Sequence, residues 1–387
     1  MMAGLDRVCL EDLADYFEGL DDPRSAVNRR YPLVSVVVIA LMAVLAGAGG
    51  PTAIAAWARE KEAFLIEALS LPDGVPRKDV FRRVLMSLNP SAFQACFTAW
   101  LLSLRQRAEA ASEVTQPVLA VDGKTSRRSH DRKNGLGALH SVSVWAAEFG
   151  LSLGQVATDD KSNEITAIPE LLRLVDIKGS IITIDALGTQ KQIARQIVEQ
   201  EADYVLALKK NHKQLHQAVV SHIAEHLQND QPSTKAREHT TSETGHGREE
   251  TRTYIQMPAP QDLPGFRHWT GLKTIGIVIL TCLRNGHETT NTRYYISSLS
   301  LGVKRFARAV RTHWSIENTL HWRLDVTYRE DDSRPRNEHL RENQAWINRF
   351  TLSLLKQHKS KDSLAMKRRR CAWNEEFLTE VLTTTTT

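Results

Sequence analysis

Cysteine is scarce. The four cysteines of the 387-residue chain, Cys9, Cys96, Cys282 and Cys371, stand far apart with no CxxC pair. That spacing argues against a zinc knuckle or a disulfide framework and suits a reducing compartment. Long hydrophobic runs are missing too. The longest, Leu33 to Ala48, has 16 residues, short of the roughly 20 that cross a bilayer, and reads as a buried helix closed by Gly47, Gly49, Gly50 and Pro51. No membrane partner is expected. The opening MMAGLDRVCLEDLADYFEGLDDPR is acidic and amphipathic rather than a secretory leader, so the expected location is the cytoplasm. No repeat of fixed period appears, which excludes a solenoid. Charge of one sign is not in large surplus: 50 Lys and Arg face 45 Asp and Glu, a net of +5. Without a polybasic coat, a nucleic-acid role depends on where the charge sits.

What is present is a globular composition, 42% apolar and 25% charged, in a chain long enough for two or three units. Residues 1–110 carry apolar residues at helical spacing between Gly and Pro clusters and predict an all-helical accessory domain. They hold 12 Lys and Arg against 13 Asp and Glu, a poor balance for the main DNA grip, although Arg77, Lys78, Arg82 and Arg83 are placed to touch phosphates. After Gln116 the texture changes. PVLAVDG, LHSVSVWAAEF and LSLGQVATD read as three strands, followed by helix, strand (SIITIDALG), helix and strand (DYVLAL). Three strands and then alternating helices and strands predict an α/β, RNase H-like mixed sheet over 111–360. A β-rich insertion is expected at about 210–300, with strands in TRTYIQM, TIGIVILTCLRN and TRYYISSL. Helices return from Lys304, and 361–387 reads as a basic tail ending in TTTTT.

Asp122 and Asp185 each follow an apolar strand, where carboxylates project from one sheet edge within reach of water or metal. An Asp after a strand is also an ordinary turn residue. Glu317 lies on a helix with His313 four residues before and His321 four after, so all three stack on one face. That trio also admits a zinc reading, but it lacks the HExxH order, and three carboxylates without cysteine fit Mg²⁺ or Mn²⁺ better. Basic clusters flank these acids: Lys124, Arg127, Arg128, Arg132 and Lys133; then Lys209, Lys210 and Lys213; then His246, Arg248 and Arg252. Residues 301–387 hold 17 Lys and Arg against 11 Asp and Glu, which points DNA toward the C-terminal side of the acids.

The runs AVDGKTSRRS, TIDALGTQKQIA, DYVLALKKNH, HGREETR, YYISSL and HWSIENTLHWRLDVTYREDDSR resemble those of the H-repeat-associated, ISAs-type insertion-sequence transposases. LEDLADYFEGLDDPR and DVFRRVLMSLNPSAF resemble the N-terminal domain associated with them, so the likeness covers nearly the whole chain. It implies an Asp-Asp-Glu catalytic set of Asp122, Asp185 and Glu317 on an RNase H-like fold. Relatives with a Tyr-Arg-Glu-Lys signature carry Arg four residues before the Glu and Lys seven after; His313 and Leu324 stand there in this sequence. Arg311, His321 and Arg323 are the candidates to replace those phosphate contacts. Thr189 occupies the family's usual Cys position.

The chemistry implied is phosphoryl transfer. Two divalent ions, Mg²⁺ or Mn²⁺ roughly 4 Å apart, would be held by the three acids. Double-stranded DNA, as terminal inverted repeats and target, would be cleaved and its 3′-OH ends joined, within a homo-oligomer that pairs two ends. Two other readings stay open: a catalytically silent DNA-binding remnant, and an RNase H-like nuclease without strand transfer.

Overall fold

The computed structural model describes residues 15–158, 163–228, 235–245 and 247–383. Cys9, most of the acidic opening, His246 and the last four threonines lie outside the described residues.

The N-terminal helices are α1 (Leu33–Leu45), α2 (Pro51–Glu60), α3 (Glu62–Leu69), α4 (Lys78–Ser87) and α5 (Pro90–Ala110). The longest apolar run is α1, buried on almost every side, as a helix without a polar face must be. Gly47, at φ 108, supplies the left-handed turn that ends it. Among the described residues no helix is long and apolar enough to cross a membrane.

Nine strands form one mixed sheet: β1 (Val118–Ser126), β2 (Leu139–Ala146), β3 (Leu151–Thr158), β4 (Ile181–Ile184), β5 (Asp203–Leu208), β6 (Arg237–Gly245), β7 (Arg248–Pro258), β8 (Thr274–Arg284) and β9 (His287–Ser297). Their order is β3-β2-β1-β4-β5-β9-β8-β7-β6. The first five give the RNase H-like layer, with an antiparallel β1-β2-β3 meander and β4 and β5 parallel to β1. Helices α6 (Glu164–Leu174) and α7 (Lys191–Glu199) make the connections that parallel strands require. Helix α8 (Lys213–Gln228) then leads into the insertion. The insertion does not interrupt the layer: β9 pairs antiparallel with β5, so β6–β9 extend the same sheet. β6 lies where the sequence reads as a polar loop. Most of its side chains are exposed, so it lacks the apolar alternation that marks a strand.

After the sheet come α9 (Val303–Ile316), a π-helical turn at Glu317–His321, α10 (Trp322–Val326), α11 (Glu338–Gln357), α12 (Leu364–Trp373) and α13 (Glu375–Thr383). Helix α11 is buried along most of its length and packs against α1, α4 and α5 as well as β3. Phe97 and Trp100 of α5 meet Phe350 at ring-centroid distances of 4.4 and 4.5 Å. One apolar core therefore runs from Phe17 through the sheet to Leu382, and a second, smaller one lies on the sheet's other face beneath α9, from Val118 and Ile181 to Phe306 and Val310. Within the segment read as a basic tail, the described residues form α12 and α13. Lys367 and Arg368 are buried in α12, donating to the carbonyls of Leu355 and His358 and of Thr327 and Val44, respectively. These two cations satisfy orphan carbonyls and are not part of a DNA surface, whereas Arg334, Arg336, Lys359, Lys361 and Arg369 are exposed.

Asn343 of α11 fastens the accessory helices to this core, donating to the carbonyls of Leu85 and Leu88 at 2.9 and 3.1 Å. Asn343→Ala leaves both carbonyls buried and unpaired. A loss of about 1–3 kcal/mol is expected, read as a lowered thermal midpoint; an unchanged midpoint would refute the tether.

Candidate active site

The parallel register of β1 and β4 decides where the two aspartates go. Val121 and Ile184 are the last pair of the parallel β1–β4 register, so Asp122, midway along β1 where it continues against β2 alone, and Asp185, just past the end of β4, are the next residues on neighbouring strands, close to the edge at which open α/β sheets present functional groups. Asp122 Oδ1 accepts from its neighbour's amide, Gly123 N, at 2.9 Å. Asp185 Oδ1 accepts from Leu187 N at 3.0 Å and Gly188 N at 3.3 Å, a turn that fixes the carboxylate at the strand end. Gly123 has no room for a side chain: an added Cβ would strike the buried His140–Glu164 pair, itself joined at 2.7 Å.

Helix α9 crosses β1, β4 and β5 and delivers Glu317 to the same cavity of about 310 Å³ that Asp122 and Asp185 line. The sequence predicts a straight helix here. The chain instead forms a π turn beginning at Glu317, a widened turn often found at functional sites. His321 Nδ1 then lies 3.6 Å from Asp122 Oδ2 and 3.5 Å from Glu317 Oε2. Its Nε2 is buried with no hydrogen-bond partner among the described residues.

Asp122, Glu317 and His321 each offer one ligand atom, and these atoms lie within 4.8 Å of one another. Two carboxylates and one imidazole form a donor set suited to a divalent metal ion. The electrostatics agree. Burial pushes the Asp122 carboxyl up to about 6, opposed by His321 and reinforced by the negative charges of Glu317 and Asp185. Glu317 is held below its ordinary value, chiefly by its hydrogen bond to His321. A buried acid this reluctant to ionise beside two others is short of positive charge, which a cation supplies. The residues present fit a divalent metal.

The basic residues sort differently. Lys209 lines the cavity and is exposed, with Lys210 exposed beside it. Arg127 and Arg128 are exposed, pairing at 3.4 and 3.2 Å with Asp331 and Asp332. Lys124 is not a surface grip: it is 7% exposed and bound to Asp325 at 2.6 Å. Arg248 pairs with Glu250, Arg252 with Glu243 and Glu250, and Arg311 with Glu243, so the insertion's positive charge is largely answered by its own acids. His313 does not replace the cationic Arg of the related signature. Enclosure pushes its imidazole down to about 4, against the pull of Asp185 and Glu317, and it is neutral at pH 7, hydrogen-bonded to Thr183 Oγ1 at 3.0 Å. Leu324, at the Lys position, is core. His321 is buried among the carboxylates rather than facing solvent. Arg323 lies over the exposed Trp322 ring, 4.6 Å from its centroid.

Two cavity residues carry no sequence signal. Arg293 sits in a run that reads simply as strand, and Trp314 reads as helix packing. The Arg293 guanidinium lies 3.6 Å from the centroid of the Trp314 ring, and together they form a wall of the acidic cavity. Pairing across the sheet edge and the pitch of α9 bring them together, and neither is local.

The family model described as "Transposase DDE domain" matches residues 114–355, and the one described as "DDE_Tnp_1-associated" matches residues 14–101. The chain is 35% identical over 380 residues to the "H repeat-associated putative transposase YhhI" of Escherichia coli, covering 96% of this chain and 98% of that protein. It is 40% identical over 289 residues to an "Uncharacterized protein in dhlA 3'region" of Xanthobacter autotrophicus, 73% of this chain and 93% of that one. A solved piggyBac transposase synaptic complex with hairpin DNA aligns over 98% of this chain and 80% of its own at 12% identity, with a TM-score of 0.42. With both family models spanning most of its length and full-length relatives above 30% identity, the chain belongs to the DDE transposase family, its catalytic-type domain preceded by the family's associated N-terminal domain.

Proposed function

We propose that this protein cuts double-stranded DNA at the terminal inverted repeats of an insertion sequence and joins the freed 3′-OH ends to target DNA. The reading rests above all on the register that sets Asp122 beside Asp185 and the helix that brings Glu317 into their cavity. Asp122, Asp185 and Glu317 are the catalytic carboxylates, and with them His321 would hold divalent ions, Mg²⁺ or Mn²⁺. When bound, these ions supply the Lewis acidity that activates water or a 3′-OH and stabilises the departing 3′ oxygen.

The chain's own residues do the rest. The Asp185 turn and the Asp122–Gly123 contact fix two carboxylates before substrate arrives, which is pre-organisation rather than induced fit. Lys209 and Arg293, cationic on the cavity wall, orient the phosphodiester, and Lys210, Arg127 and Arg128 extend the contact along the backbone. Arg127 and Arg128 would exchange Asp331 and Asp332 for the phosphate, and Arg323, Arg248, Arg252 and Arg311 would likewise exchange their present partners. His313, neutral, orients the cavity through Thr183 without adding charge. A homo-oligomer is proposed because two element ends must meet in one complex.

Asp122→Asn, Asp185→Asn and Glu317→Gln should each abolish Mg²⁺-dependent nicking of inverted-repeat DNA, beyond the roughly 10–100-fold cost of changes around a metal's ligands, while gel-shift affinity stays largely intact. Normal cleavage by any of the three would remove that residue from the set. Strand transfer is read separately, by joining a precut end to plasmid DNA; cutting without joining would leave a nuclease.

Because the folded pKa of Asp122 is raised, its protonated form is favoured by folding. Its contribution to the stability of the metal-free fold is therefore fully present below the ordinary value near 3.8 and is lost as pH rises through about 6. Asp122→Asn should stabilise the metal-free protein near pH 8 by up to about 3 kcal/mol and add little near pH 4. Mg²⁺ should raise the wild-type thermal midpoint near pH 8 but not below about pH 5, where protons compete. Equal stabilisation by Asn at both pH values would refute the burial of a charged Asp122.

A further inference from the structure

Lys124 belongs to an internal charge network rather than to the DNA surface. Its Nζ lies 2.6 Å from Asp325, 3.6 Å from Asp331 and 4.0 Å from Glu330. Glu330 is buried and pairs at 3.0 Å with Arg349, whose side chain is fully enclosed and donates to Ser143 and Ser141 of β2 at 3.2 and 3.0 Å. Buried ion networks are a poor route to stability, since packed apolar side chains often do as well or better. The information lies in what this one connects. Lys124 follows Asp122 by two residues on β1, on the same face of the strand. Asp325 stands on α10, four residues after His321 and eight after Glu317.

The ion pair therefore spans the two elements that carry the acid cluster, about one turn further along. The cluster itself pushes those elements apart: Asp122 and Glu317 are like charges with only the His321 imidazole between them. Lys124 and Asp325 attract across the same gap, and the Glu330–Arg349 pair anchors the lysine's surroundings to β2.

We infer that Lys124 and Asp325 are positioning residues whose ion pair holds β1 against the π turn at the separation where Asp122 and Glu317 take one cation between them. The inference rests on the metal-site reading above. Neither residue touches DNA or the reacting atoms in this role.

The test uses the full-length protein titrated with Mn²⁺ or Mg²⁺, followed by thermal midpoint and by single-turnover nicking. Asp325→Asn should raise the metal concentration for half-maximal stabilisation by about tenfold or more, the range for groups that orient metal ligands, and slow nicking with little change in KM for DNA. Asp325→Glu, which keeps the charge at a partly exposed position, should restore most of both. Lys178→Ala, which removes the exposed Lys178–Glu201 pair outside the network, should leave both the metal midpoint and nicking unchanged. Asp325→Asn retains Asp331 and Glu330 around Lys124, so it reports on positioning without stranding a buried charge; Lys124→Met should reproduce its effect. A wild-type metal midpoint in Asp325→Asn, with Asp122→Asn inactive and unresponsive to metal, overturns the positioning role alone. A metal-responsive, fully active Asp122→Asn overturns the metal-site reading beneath it.

Discussion

Like charge confined at a sheet edge is the constraint on which the rest of the molecule depends. Parallel pairing in register sets two aspartates side by side where the β1–β4 pairing ends, and a helix laid across them adds a glutamate to the same cavity. Burial denies Asp122 the water that would screen it, so its carboxyl is pushed up to about 6, while Glu317 stays more than half exposed. Nothing in hydrophobic packing offsets that cost; only positive charge does. His321 stands between two of the carboxylates, and Lys124 and Arg349 answer the acids of the segment that follows.

The remainder of the fold can be understood as support for that edge. Helix α11 closes the layer from behind and simultaneously forms the floor of the N-terminal helices, so accessory and catalytic parts share one core. The insertion lengthens the sheet through β9 and carries Arg293 to the cavity, where it covers Trp314. Arg248 and Arg252 of the insertion are engaged by Glu250 and Glu243, and Glu243 also takes Arg311 from α9.

The strand order of the catalytic layer was legible because its strands are short apolar runs separated by turn chemistry, and the Asp122 and Asp185 positions follow from where those runs stop. The π turn was not legible, since Ser315–Trp322 has ordinary helical composition. β6 was hidden because a polar, solvent-facing strand lacks a period-two pattern. Charge counting misled in two places. Lys124 reads as part of a basic loop and Lys367 and Arg368 as a tail, yet all three are buried against carboxylates or carbonyls contributed by residues distant in sequence. Arg293 and Trp314 illustrate the same limit in reverse: a functional wall assembled by tertiary pairing has no spacing of its own to detect.

The central claim is that Asp122 and Glu317, with their neighbours, form a divalent-metal centre. Calorimetric titration of Mn²⁺ into the full-length protein near pH 8, repeated with the Asp122→Asn, Glu317→Gln double variant, addresses it most directly. The account predicts saturable binding with proton release in the wild type and its loss in the variant. Binding of equal affinity and stoichiometry in a folded double variant would contradict it.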